Sequence, residues 1–479
     1  MWSTGSGGGH IMQWLSGMDA SFLYMETPAA HMHVAGMLIL DPSDAPVPYS
    51  FGHAREIIES RLPLMQPFRK RLLSPPLGID HPVWVDDPGF DLDRHLFRTA
   101  IPSPGTSREL AALAGRVASK PLDRSKPLWE MYLVEGLEGD RVAIITKIHH
   151  SAIDGVTGAD LMAHLVDFEP EVAEPPEPEE TWNPERLPGD LSLIGQAVVH
   201  RVSNPLRATK ALIRTGRSVA TMAFGLIGAQ TDRLRPALPF TAPRTMFNKP
   251  LTPRRAVAFS QVKFDDVHVV KQAFDAKVND VVLAACATAL RRYLQSHDDL
   301  PVKPLIVSVP VSVHGQSERE GTNQVSNMFV RLPVEIEDPV EQLRAIRGET
   351  ADAKQLHNAM GVHLIQDLAE VTPGGVYNRA MRLYSRTGLV DSLPPVQNLV
   401  ISNVPGPPVP LYIAGARVVG VYPFGPLIEG AGINLTVLSN MDNMDFGVIG
   451  CPDTAPDLWG LAEGFVDAVS ELRAAADQA

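Results

Sequence analysis

The residues best suited to chemistry are His149-His150-Ser151-Ala152-Ile153-Asp154-Gly155, two adjacent imidazoles followed by an acid and a glycine. Neutral imidazole, with an unperturbed pKa of about 6.5, accepts a proton at physiological pH, so a histidine reaching into a cleft suits general-base chemistry. The apolar segment Val142–Ile148 before it reads as a buried strand running into a turn. Adjacent strand residues point to opposite faces, so one histidine serves the reaction and the other the structure. The alternation groups His150 with Val142, Ile144, Thr146 and Ile148, and leaves open which face lines a cleft. Asp154 is placed to orient the loop by bonding backbone or an arginine, and Gly155 supplies backbone angles that side chains forbid.

Elements able to position such a turn alternate along the chain in an α/β pattern. Its 479 residues fit two large domains, at about 100–200 residues each with a linker between them. Residues 1–11 read as an added leader, 12–169 as a first α/β domain carrying the histidines, 170–250 as a linker region and 251–479 as a second α/β domain. The linker region opens on prolines alternating with glutamates from Pro170 to Asp190. It continues in a basic, apolar helical segment, Leu191 to Phe240, where seven Lys and Arg face Asp232 alone. That segment suits a helical connector packed against the domains, and equally a helix lying on an anionic lipid surface. In the second half, strands are expected at Val257–Phe264, Leu305–Val311, Val325–Val334, Asn398–Ser402, Ile433–Leu438 and Phe446–Ile449. A closing helix carries Leu458, Leu461, Phe465, Val469 and Leu472 on one face.

Other chemistries find little support. A net charge of −13 argues against a nucleic-acid footprint over the whole surface. Cys286 and Cys451 form neither a disulfide framework nor a CxxC motif, which fits a reducing, cytoplasmic setting. The longest plausible membrane segment, Ser218 to Thr231, has 14 uncharged residues including Gly225 and Gly228, fewer than the roughly 20 apolar residues a membrane span needs. There is no GxSxG elbow, no phosphate-binding GxxxxGK[ST] loop and no HExxH zinc helix. Zinc on His149, His150 and Asp154 would need ligands from elsewhere, because adjacent strand histidines diverge.

The ordered set of motifs resembles the bacterial wax ester synthase/acyl-CoA:diacylglycerol acyltransferases, within the larger HHxxxDG group that includes peptide-synthetase condensation domains. The resemblance runs from Leu15 almost to the end. It includes LSGMDASFL at Leu15–Leu23, Met32-His33-Val34, Pro127-Leu128-Trp129, the histidine motif and Asn279-Asp280-Val281-Val282. It continues through Pro310-Val311-Ser312, Gly321 to Ser326, and Ser402-Asn403-Val404-Pro405-Gly406-Pro407.

By themselves several of these motifs have plain structural readings. Pro127-Leu128-Trp129 suits a packing corner. Asn279 and Asp280 suit an N-cap and first-turn acid of a helix from Val281 to Leu294, and Ser402 to Gly406 a strand end and turn. Asp445-Phe446-Gly447 lacks the tryptophan of the related DFGWG motif and carries structural weight only.

The resemblance implies two chloramphenicol-acetyltransferase-like domains of mixed sheets, with a substrate tunnel at their interface. It implies transfer of a long-chain acyl group from acyl-CoA, a substrate rather than a cofactor, to diacylglycerol or a fatty alcohol. His150 would be the general base without an acyl-enzyme, His149 and Asp154 supports, Gly155 the turn, and Asn279, Ser402 and Asn403 substrate-binding. No metal, cofactor or nucleic acid is implied. The basic segment would hold the tunnel mouth against the inner membrane face or a lipid droplet. A carrier-protein thioester donor, or a catalytically silent lipid-binding protein of the same fold, remains an alternative at this stage.

Overall fold

The computed structural model describes residues 12–152, 163–176, 186–203, 237–312, 325–360, 378–379, 382–385, 387 and 389–479. Strands β1 (Gln13–Trp14), β3 (Lys70–Leu73) and β4 (Val83–Asp86) form a small sheet, order β1-β4-β3. Around the histidines lies a six-stranded sheet built mainly from β2 (His33–Asp41), β5 (Leu96–Ala100), β6 (Trp129–Glu135) and β7 (Val142–His149). The second six-stranded sheet contains β8 (Ala256–Lys263), β9 (Leu305–Ser312), β10 (Val325–Leu332), β11 (Leu399–Val404), β14 (Ile433–Asn440) and β15 (Asn443–Gly450). Both sheets are mixed: β5 runs parallel to β6, and β11 parallel to β9 and β14, while the remaining pairs are antiparallel.

All eight residues of β7 are buried, as expected of a central strand covered on both faces. On one face, Val142, Ile144 and Ile148 pack with Leu38, Trp129 and Ile58 of α2 (Phe51–Arg61). On the other, Ala143 and Ile145 pack with Leu110, Ala114 and Val117 of α3 (Ser107–Ala118), whose start is fixed by a Thr106–Glu109 capping box. Lys147, fully buried, donates from Nζ to the Val117 and Lys120 carbonyls and pairs with Glu130 at 2.8 Å. A cation there meets the negative end of the α3 dipole, so β7 is fastened to the helix just before the histidines.

Among the described residues, α4 (Asp190–Ser203) lies against the small sheet, where Leu193 packs with Val83 and Val85 and the His200 ring stacks on Trp14 at 4.5 Å. In the second half α5 (Phe264–Ala273), α6 (Val278–Ser296), α7 (Pro339–Met360) and α8 (Leu458–Ala476) cover one sheet face. The stripe Leu458, Leu461, Phe465, Val469 and Leu472 of α8 is buried there, as its periodicity anticipates.

The sheets do not divide at one point in the chain. β12 (Tyr412–Ile413) and β13 (Ala416–Phe424), from the second half, complete the first sheet in the order β12-β13-β2-β7-β6-β5. β13 pairs antiparallel with β2 across a register shift between Val418 and Gly420. Asp445 of β15, with no exposed surface, accepts the Val421 N–H of β13 and is also bonded by Gln261 and Asn440. Glycine is needed where the two sheets touch, because a Cβ on Gly447 of β15 would lie 2.2 Å from the Pro423 carbonyl oxygen of β13.

Candidate active site

β7 ends at His149, but its pairing with β2 continues: the His150 N–H donates to the Met32 carbonyl at 2.9 Å. On the other side the His149 N–H donates to the Leu128 carbonyl at 3.0 Å. The extended backbone therefore sends the two imidazoles to opposite faces. His149 joins the side of Ala143, Ile145 and Lys147, beneath α3, and His150 the side of Ile144, Thr146 and Ile148.

His149 is 1% exposed; its Nδ1 is hydrogen-bonded, while its Nε2 faces Glu26 without a hydrogen bond. Its Nδ1 accepts the Ser151 backbone N–H at 3.1 Å and lies 2.8 Å from Ser151 Oγ. A backbone N–H only donates, so the neutral ring carries its proton on Nε2, which lies 3.4 Å from Glu26 Oε2. Arg124 Nη2 pairs with the same carboxylate oxygen. Burial pushes the His149 pKa down, against the opposite pull of Glu26. For Glu26, burial would raise the carboxyl, but the contact with His149 and the charge of Arg124 outweigh it and hold it below its usual range.

His150 is half-buried, and its ring stacks on Phe22 of α1 (Gly17–Met25) with centroids 4.0 Å apart and planes 18° from parallel. Helix α1 thus serves both histidines, with Phe22 against one and Glu26, at its C-cap, against the other. Ser16 starts this helix by accepting the Asp19 N–H at 3.1 Å. Beside His149, its cross-strand partner His33 sits 8% exposed with neither ring nitrogen hydrogen-bonded. Burial drives the pKa of His33 well below the normal imidazole value, and that of neighbouring His31 downward as well.

Pro127-Leu128-Trp129 is a packing corner with a positional consequence. Trp129 lies between Phe68 and His95 at 4.6 and 4.7 Å and donates from Nε1 to the Phe68 carbonyl, while Leu128 receives the His149 N–H. Asp154 and Gly155 lie outside the described residues, as do Gly321 to Gln324 and most of the basic segment. Asn279 is the second residue of α6 rather than its cap, and makes no hydrogen bond with either histidine. Lys277 takes the cap position in extended conformation, with its N–H donating to Asp280 at 2.9 Å. Ser402 and Asn403 lie half-buried near the end of β11, which closes at Val404, in line with a strand end and turn. Leu399 and Ile401 belong to the helix-covered core, so alternation turns Asn403 toward that core. Ser402 shares the opposite face with its partner Thr436, next to Gly447 and Phe259, where the second sheet meets the first half.

Glu26, Phe22, Arg124 and His33 are site residues that spacing around the histidines does not reveal. Phe22 and His33 lie inside the two N-terminal motifs, whereas nothing local marks Glu26 or Arg124. Among the described residues no group of three or more His, Cys, Asp or Glu is arranged to hold a metal ion. The arrangement leaves His150 half-buried against Phe22 and places His149 in the buried turn, bonded to Ser151.

The wax ester synthase/diacylglycerol acyltransferase catalytic domain matches residues 15–282, and the WS/DGAT C-terminal domain matches residues 321–473. A Mycobacterium tuberculosis protein named as a diacylglycerol O-acyltransferase is 41% identical over 476 residues, covering 98% of this chain and 92% of that one. Another from the same organism, named likewise, is 35% identical and covers 97% of each chain. The solved wax ester synthase/diacylglycerol acyltransferase from Marinobacter aquaeolei superposes with a TM-score of 0.70 at 29% identity, covering 97% of this chain and 100% of that one. The first condensation domain of the calcium-dependent antibiotic synthetase shares the fold, with a TM-score of 0.55 at 18% identity over 97% and 96% of the two chains. The two-sheet architecture, the paired histidines and the matches along nearly the whole chain together make this protein an acyltransferase that belongs to the wax ester synthase/diacylglycerol acyltransferase family.

Proposed function

We propose that the enzyme moves a long-chain acyl group from coenzyme A to diacylglycerol, with a fatty alcohol as second acceptor, and that His150 is its general base. His150 takes the hydroxyl proton as the oxygen attacks the thioester carbonyl. The tetrahedral intermediate then collapses with cleavage of the carbon–sulfur bond, and the imidazolium returns the proton to the departing thiolate. Ester and free coenzyme A thiol leave, and no covalent bond to the protein forms. The reading is carried by the division of labour at the end of β7: His149 is buried and bonded, while His150 is half-buried and flanked by an aromatic face. Asp154 and Gly155 keep the supporting roles that the sequence motif suggests, and Ser402, on the face where the halves meet, is the better placed of the two β11 polar residues to contact substrate.

The test is release of free thiol on adding palmitoyl-CoA with diacylglycerol or hexadecanol. Ester formation with either acceptor supports the reading. Transfer only from a carrier-protein thioester, or palmitoyl-CoA binding without turnover, would overturn it.

We further propose that this enzyme works at an anionic lipid surface, peripherally and from the cytoplasmic side. None of the described helices is long and apolar enough to cross a membrane. Helix α4 leaves Leu191, Val198 and Val199 exposed just before Arg207, Lys210, Arg214 and Arg217 in the sequence. Apolar side chains followed by cations match the requirements of interfacial binding. Flotation with phosphatidylglycerol vesicles should fall when Arg207, Lys210 and Arg214 are reversed to Glu. Unchanged flotation would contradict it.

A further inference from the structure

We propose that Glu26 is a positioning residue for acyl transfer: it fixes the tautomer of His149 and, through Ser151, the turn that aims His150. The contacts follow one another, with the step from Glu26 to His149 a close charge contact rather than a hydrogen bond. Arg124 Nη2 donates to Glu26 Oε2, the same oxygen lies 3.4 Å from the protonated Nε2 of His149, and His149 Nδ1 accepts the Ser151 N–H at 3.1 Å. The Ala152 N–H closes the turn by donating to the His149 carbonyl at 2.9 Å, with His150 between them.

The logic rests on a choice the ring must make. Neutral imidazole has one donor nitrogen and one acceptor nitrogen. If the proton moved to Nδ1, two donors would face each other at Ser151, and Nε2 would present a lone pair to a carboxylate. Glu26 makes that alternative unfavourable, because its carboxylate accepts and never donates while ionised. Separations of this kind often tighten once substrate is bound.

The segment around Glu26 is held by the second half of the molecule. Asn378 Nδ2 donates to the Tyr24 carbonyl at 3.1 Å, and Thr27 Oγ1 donates to Glu429 at 3.2 Å. Arg255 bonds the Ala29 carbonyl. The second half therefore reaches the histidines through the segment that carries Glu26.

This role rests on His150 being the base, so the experiment separates the two. Full-length protein labelled with nitrogen-15 in its histidines reports the His149 tautomer by long-range proton–nitrogen correlation, independently of turnover. Wild type should show the proton on Nε2. Glu26→Ala should give a mixed tautomer and a kcat about 10- to 100-fold lower, the range seen when an orienting partner of a functional histidine is removed, with KM for palmitoyl-CoA little changed. Glu26→Gln keeps an acceptor oxygen and should restore the tautomer and most of kcat. A purely structural role would lower the folded fraction without changing the tautomer in the folded protein. The positioning role is overturned by a wild-type His149 protonated on Nδ1, or by a folded Glu26→Ala enzyme with wild-type kcat beside an inactive His150→Ala. An active His150→Ala would instead overturn the base assignment, and the positioning role with it.

Discussion

His149 and His150 are neighbours in sequence but occupy opposite environments. His149 lies under α3, bonded to Ser151 on one nitrogen and facing Glu26 with the other. His150 lies half-buried against Phe22. The difference shows how a strand end makes two chemically identical side chains unequal: alternation splits them, and the elements on each face determine how deeply each is buried and what it touches.

The largest consequence concerns activity. Replacing His150 with Ala should lower turnover about 100- to 10,000-fold, the usual contribution of a positioned general base, as measured by thiol release. Loss below tenfold would break the contrast.

The acid side of the stability curve sharpens it next. His31, His33, His95 and His149 all have folded pKa values depressed chiefly by burial. The unfolded chain takes up protons near pH 6.5, whereas the folded protein resists until lower pH. Stability is thus fully present above about pH 6.5 and falls as pH drops below it, by up to about 1.4 kcal/mol per pH unit for each histidine. Urea unfolding at pH 7.5 and 5.5 should show the decline, and His33→Leu should reduce it. A pH-independent midpoint over that range would contradict the assignment.

Smaller effects distinguish the two faces of β11. Ser402→Ala should cost about fivefold in kcat/KM, equivalent to one hydrogen bond of about 1 kcal/mol, while Asn403→Ala leaves it near wild type. Equal losses in steady-state assays would mean that alternation along β11 does not sort substrate contact from core packing.

Much of this was readable from the chain. The run Val142–Ile148 showed the strand, and its alternation correctly separated His149 from His150. The six strands expected in the second half appear as β8, β9, β10, β11, β14 and β15, with ends shifted by a few residues. What escaped depends on distance. Glu26 lies over a hundred residues from His149 in sequence, and β13 pairs with β2 from the opposite end of the chain. Neither contact leaves a local periodicity. The cap of α6 was misplaced for a different reason: Asn279 has the preferred side chain, but Lys277 adopts the extended conformation and Asp280 reaches back to it.

The most direct test of the division between the two histidines measures thiol release and thermal unfolding side by side for His150→Ala and His149→Ala. The account requires His150→Ala to lose activity with an unchanged melting temperature. It requires His149→Ala to melt earlier as well, because the buried Ser151 N–H loses its acceptor at a cost of about 1–3 kcal/mol. An active His150→Ala enzyme, or two variants destabilised to the same degree, would contradict it.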